Sequence, residues 1–133
     1  MSSIRFGYTI LYVKDVLRAV AFYEAAFGLQ RRFVDPSGQY AELETGATAL
    51  ALTANELATT NLPAGFQPNS PSQLPAGIEI GLVTDDVAAA FAQAVSQGAV
   101  AVAEPKTKPW GQTVAYLRDL DGVLVELCSP IGE

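Results

Sequence analysis

Two stretches of this chain repeat one pattern, and that repeat limits the fold more than any other feature. Tyr8-Thr9-Ile10-Leu11-Tyr12-Val13-Lys14-Asp15-Val16 aligns without gaps on Glu79-Ile80-Gly81-Leu82-Val83-Thr84-Asp85-Asp86-Val87, positions 79 and 8 differing by 71. Few residues are identical; what recurs is an order of features, namely a strand, a capping Asp, an amphipathic helix, a Gly and three short strands. A length of 133 residues, half of them apolar, suits one well-buried domain. The reading is therefore a single α+β domain of two tandem βαβββ units, one at about 4–58 and one at about 77–130, joined by a linker or flap at about 59–76.

The elements follow from local chemistry. Residues 5–13 mix β-branched and aromatic side chains in partial alternation, as a strand does, and Asp15 stands where a helix N-cap belongs. Val16, Val20, Tyr23 and Phe27 then fall on one helical face, with Gly28 as the stop. Residues 31–35, 39–44 and 47–53 read as three antiparallel strands, separated by Pro36-Ser37-Gly38 and Thr45-Gly46. Prolines at 63, 68, 71 and 75 deny residues 59–76 a regular ladder or helix. The second unit has a strand at 77–84, a capping Asp85-Asp86, and a helix with Val87, Phe91 and Val95 on its inner face before Gly98. Strands at 100–103, 112–118 and 123–128 complete it, the last two joined by Asp119-Leu120-Asp121-Gly122.

Charge and composition then remove whole classes of function. Eight basic against 14 acidic residues give a net charge of −6, which leaves no basic stripe for a nucleic-acid backbone. Apolar runs such as 87–92 fall far short of the ~20 residues of a membrane helix, and residues 1–6 lack a signal peptide's apolar stretch, so a soluble cytoplasmic chain is expected. The single cysteine, Cys128, permits no internal disulfide and no cysteine-rich metal site. There is no histidine, which excludes serine-histidine and cysteine-histidine catalysis.

Four stretches carry a family likeness across nearly the whole chain: Tyr12-Val13-Lys14-Asp15-Val16 with Ala21-Phe22-Tyr23 and Phe27-Gly28-Leu29; Ala41-Glu42-Leu43; Leu82 to Val87; and Asp119-Leu120-Asp121-Gly122-Val123-Leu124-Val125-Glu126-Leu127. Their order and spacing resemble the glyoxalase/bleomycin-resistance/extradiol-dioxygenase family, or vicinal oxygen chelate superfamily; the last stretch is similar to an Asp-Pro-Asp-Gly-x-x-x-Glu ending, with Leu120 where Pro is usual. The resemblance implies an open, half-barrel-like mixed sheet around a cleft. It also implies that the four metal-ligand positions of metal-dependent members fall on Tyr8, Ala51, Glu79 and Glu126. Only Glu79 and Glu126 are good ligands, since a Tyr with a pKa near ~10 is a poor one at neutral pH and Ala51 has no donor. No bound metal or other cofactor is expected, a divalent cation on Glu79 and Glu126 being the weaker alternative.

Glu79 and Glu126 each alternate with apolar neighbours, a pattern that fits either a cleft wall or the solvent face of a half-exposed strand. With the resemblance, Tyr8, Glu79 and Glu126 are expected to point into one cavity. There the two carboxylates act as counter-charges to a cation, or one acts as an acid or base with a raised pKa. Tyr8, Tyr40, Trp110 and Tyr116 lie on or beside strands and offer flat surfaces with polar tips for a planar or cationic ligand, although Tyr40 and Tyr116 fit core or dimer packing equally well. The expected function is metal-free binding of a small molecule, similar to antibiotic-sequestering members of the family and commonly in a homodimer. The alternative is a glyoxalase-like lyase or isomerase, metal-dependent or using a Glu base; an iron dioxygenase would need histidines that are absent.

Overall fold

The computed structural model describes residues 2–131 and confirms the α+β class, two repeated units each built on an open four-stranded mixed sheet. The chain divides into two compact units, Met1–Glu24 with Gly28–Pro68, and Ala25–Phe27 with Asn69–Glu133.

In unit one, β1 (Tyr8–Val13), β2 (Arg31–Val34), β3 (Tyr40–Leu43) and β4 (Ala49–Ala54) lie in the order β1-β4-β3-β2. β1 pairs with β4 in parallel and the other pairs are antiparallel. α1 (Val16–Phe27) makes the crossover that a parallel pair requires. It starts because the Asp15 side chain accepts a hydrogen bond from the Arg18 amide at 3.1 Å, and ends because Gly28 takes φ 69° and donates back to the Glu24 carbonyl. Val16, Val20 and Tyr23 are fully buried as expected, with Val13, Leu43 and Leu52. Phe27 is half-buried. Each such aliphatic side chain contributes roughly 1.5–3 kcal/mol relative to exposure.

Unit two repeats the plan with β5 (Glu79–Val83), β6 (Val100–Thr107), β7 (Thr113–Arg118) and β8 (Leu124–Cys128) in the order β5-β8-β7-β6. The helix between β5 and β6 spans Val87–Ser96, and the Asp86 carboxylate caps it by accepting from the Ala89 amide at 3.0 Å. At the β7–β8 turn the buried Asp119 carboxylate accepts from the Asp121 and Val123 amides, both at 2.9 Å. β6 is longer than the expected 100–103; its Pro105 is tolerated because β6 is an edge strand, interrupted by two register shifts.

Two expectations need correction. Residues 55–61 form a helix of about two turns that takes 59–61 out of the expected irregular segment; it buries only Ala58, too little to show as a periodic pattern. The buried face of the helix 87–96 is Val87 and Ala94, with Phe91 half-buried, while Val95 is 40% exposed. The reason is the pitch: seven residues return a helix to within about 20° of the starting direction, whereas two steps of four overshoot by about 80°.

Candidate functional site

The register of each sheet defines which side chains share its face. In unit two Glu79, Gly81 and Val83 of β5 pair with Leu124, Glu126 and Cys128 of β8, and Tyr116 of β7 lies opposite Glu126. Their alternate neighbours, including Val125, Leu127, Ala115 and Leu117, form the buried layer. The other face therefore presents Glu79, Gly81, Val83, Glu126 and Tyr116 in adjacent rows, with Glu126 at the centre. Glu79 is exposed and lines an open depression of about 350 Å³ with Gly77, Ile78 and Leu124.

Glu126 perturbs three neighbours. Partial desolvation, then the hydrogen-bonding approach and charge of Glu126, raise the Glu79 pKa above the usual carboxylate value. Desolvation and then Glu126 likewise raise Tyr116 and Cys128, whose buried Sγ also lies 3.8 Å from the Leu82 carbonyl oxygen. The charge of Glu126 beside it thus disfavours the ionised form of Glu79. No Arg or Lys is among the groups acting on Glu79.

The basic residue on the same face is turned elsewhere. Arg118, two residues beyond Tyr116 on β7, donates from Nε to the Gly122 carbonyl at 2.9 Å. Its terminal nitrogens donate to the carbonyls of Ser70 at 3.0 Å, Gln73 at 2.7 Å and Pro71 at 3.4 Å. The guanidinium is thus spent on main-chain oxygens of the β7–β8 turn and of residues 70–73.

Unit one presents a different chemistry at equivalent points. Tyr8 pairs with Ala49 as Glu79 pairs with Leu124, so Tyr8 corresponds to Glu79, Ile10 to Gly81 and Ala51 to Glu126. The face carries Tyr8, Ile10, Tyr12, Tyr40, Glu42 and Phe33. Tyr40 donates its hydroxyl to Glu42 at 2.7 Å, packs its ring 6.5 Å from that of Phe33, and feels the neighbouring Tyr8. Desolvation, then that hydrogen bond, push the Tyr40 pKa far up, so this phenol stays protonated. Glu42 lies 3.6 Å from Arg32, which is itself held by two 2.8 Å hydrogen bonds to Glu44. Tyr8 is half-exposed and lines a depression of about 320 Å³ with Arg5, Gly7, Arg32 and Ala47.

The structure thus brings Glu79, Glu126 and Tyr116 together on one sheet and Tyr8 with Tyr40 on the other. Trp110 stands apart, at the turn before β7, where its indole N–H donates to Gln112 Oε1 at 2.8 Å and the ring is 64% exposed. The sequence reading missed Glu42, although Tyr40-Ala41-Glu42 has the period-two spacing that puts Glu42 on the Tyr40 face. It also missed Cys128, two residues along β8 from Glu126, and Gly81, a neighbour of Glu126 only through pairing between strands. A metal fits poorly: among the described residues no three His, Cys, Asp or Glu side chains are grouped to hold an ion, and Tyr8 and Ala51 occupy two of the four positions.

A βαβββ module used twice, each copy carrying chemically distinct side chains on the open face of its mixed sheet, defines a class of paired-module α+β proteins. Residues 5–127 match the model of the Glyoxalase/Bleomycin resistance protein/Dioxygenase superfamily, and the chain belongs to that superfamily. No curated protein matches it. Among solved structures, a glyoxalase-related enzyme from Fulvimarina pelagi is 16% identical with a TM-score of 0.81, covering 95% of this chain and 88% of that one. A glyoxalase/bleomycin resistance protein/dioxygenase family enzyme from Burkholderia phytofirmans PsJN is 19% identical with a TM-score of 0.80, over 95% and 98%. TioX from Micromonospora sp. ML1 is 23% identical with a TM-score of 0.70, over 94% and 98%. These likenesses establish the fold.

Proposed function

We propose that this chain is a metal-free small-molecule-binding protein of the superfamily, similar to antibiotic-sequestering members, and that its ligand carries a cationic group held by Glu79 and Glu126. The observation that carries this reading is the placement of two acids, Glu79 and Glu126, on the same open sheet face, with Arg118 of that face committed to carbonyls. A bound cation relieves the repulsion of the pair. Tyr116 beside Glu126 supplies a ring for stacking or a cation–π contact. On unit one, Tyr8 and Tyr40 offer the same kind of surface to a planar group, and Trp110 offers an exposed indole at its turn.

The test uses benzylammonium and benzoate, which share a ring and differ in charge. Benzylammonium raises the melting temperature of the purified protein, and benzoate does not. E79Q and E126Q each remove the effect. Stabilisation by benzoate but not by benzylammonium overturns the reading.

The raised pKa of Glu79 favours a second reading, a lyase or isomerase in which Glu79 is the general base and no metal takes part. On that reading E79Q abolishes turnover in a screen of carbonyl substrates. The protein is further proposed to be a cytoplasmic homodimer. Its single cysteine is unpaired, and Ile10, Phe33, Val83, Val100 and Val102 expose apolar surface that a second copy would cover. Sedimentation at micromolar concentration as a compact monomer contradicts the dimer.

A further inference from the structure

A glycine inside a strand weakens it and packs against nothing, so its presence asks for a reason. Two ordinary reasons fail for Gly81. It is not among the glycines with positive φ, so its backbone does not need glycine. Nor is the site crowded, since a Cβ built there meets no heavy atom within 4 Å. Gly122 shows what crowding looks like: there a Cβ would lie 2.6 Å from the Arg118 guanidinium and 2.7 Å from the Ser70 carbonyl oxygen.

What remains is the space. Gly81 pairs directly with Glu126, and the Glu126 side chain does not fill the gap, because no atom of it comes within that 4 Å. At the equivalent point of unit one the sizes are exchanged, with large Ile10 beside small Ala51. The gap is bounded along β5 by Glu79 and by Val83, which is 66% exposed; alternate residues two positions either side of Gly81 stand about 13 Å apart, enough for one flat ring between them. One wall is acidic and the other aliphatic, with Tyr116 across from Glu126.

We propose that Gly81 is a specificity-determining position: its missing side chain keeps open a slot on the face of β5 through which a flat arylalkylammonium group reaches the Glu126 carboxylate. This rests on the cation-binding reading of Glu79 and Glu126, and its test separates the two. Carboxyl signals of Glu79 and Glu126 are followed by ¹³C NMR at one pH as benzylammonium is added to the wild type, G81A and G81V. Both variants keep a strand-compatible backbone, and the melting temperature checks that they fold.

Filling the slot weakens benzylammonium binding at least tenfold in G81V and less in G81A, while neither variant melts lower than the wild type. Equal benzylammonium affinity in wild type and G81V overturns the slot. If the wild type itself does not bind benzylammonium, the cation reading falls and the slot falls with it.

Discussion

The Arg118 guanidinium and the Ser70 carbonyl oxygen are 3.0 Å apart, and the same nitrogen reaches the Gln73 carbonyl at 2.7 Å. One charged side chain thereby fastens the chain ahead of β5 to the β7–β8 turn, and Gly122 fits beneath it only because it has no Cβ.

Removing the clasp frees that segment. Arg118→Met is expected to cost about 1.5–3 kcal/mol, the range for hydrogen bonds to a charged group. It also exposes residues 69–75 to proteolysis, read as a new early cleavage product. Gly122→Ala gives the same product, because φ 87° and the contacts to Arg118 and Ser70 both disfavour a side chain.

The inner face of the helix 87–96 separates two neighbouring substitutions. Ala94 is fully buried and Val95 is exposed, so Ala94→Leu overpacks the core at a cost of about 1–3 kcal/mol and Val95→Ser stays within about 0.5 kcal/mol. In unit one Leu52→Ala costs about 2–5 kcal/mol, since Leu52 is wholly enclosed. Urea unfolding measures all three.

Much of the frame was legible in the sequence because it rests on local chemistry. Asp15 and Asp86 sit as N-caps with the expected amide partners, and loss of either to Ala is expected to cost ~1 kcal/mol. The repeat of Tyr8 on Glu79 is reproduced by strand register. Less legible were the place of Gly81 beside Glu126, set by pairing between strands, and the approaches of Glu126 to Cys128 and of Tyr40 to Glu42, which period-two spacing along one strand allows but does not require. The helix 55–61 was hidden for a different reason, having one buried residue and no side-chain cap to announce it.

Stability should respond to pH in opposite senses at the two groups of carboxylates. Glu24, Glu44 and Asp35 are held below their ordinary pKa values, chiefly by hydrogen bonds from Arg31, Arg32 and Ser37. Their contribution is present above the unfolded pKa and is lost as pH falls through the folded one. Glu79 is raised, so the folded state holds its proton more tightly than the unfolded chain does, and its contribution is lost as pH rises through the folded pKa. E79Q removes only the second effect: its melting temperature stays level across that window, where the wild type declines.

The influence of Glu126 on Glu79 is central to this site, and ¹³C NMR titration of Glu79 in the ligand-free wild type and E126Q measures it most directly. Glu79 is expected to titrate above the ordinary glutamate range, and E126Q to bring it part of the way back, leaving the rise due to desolvation. A Glu79 titration in the ordinary glutamate range, unmoved by E126Q, would contradict this.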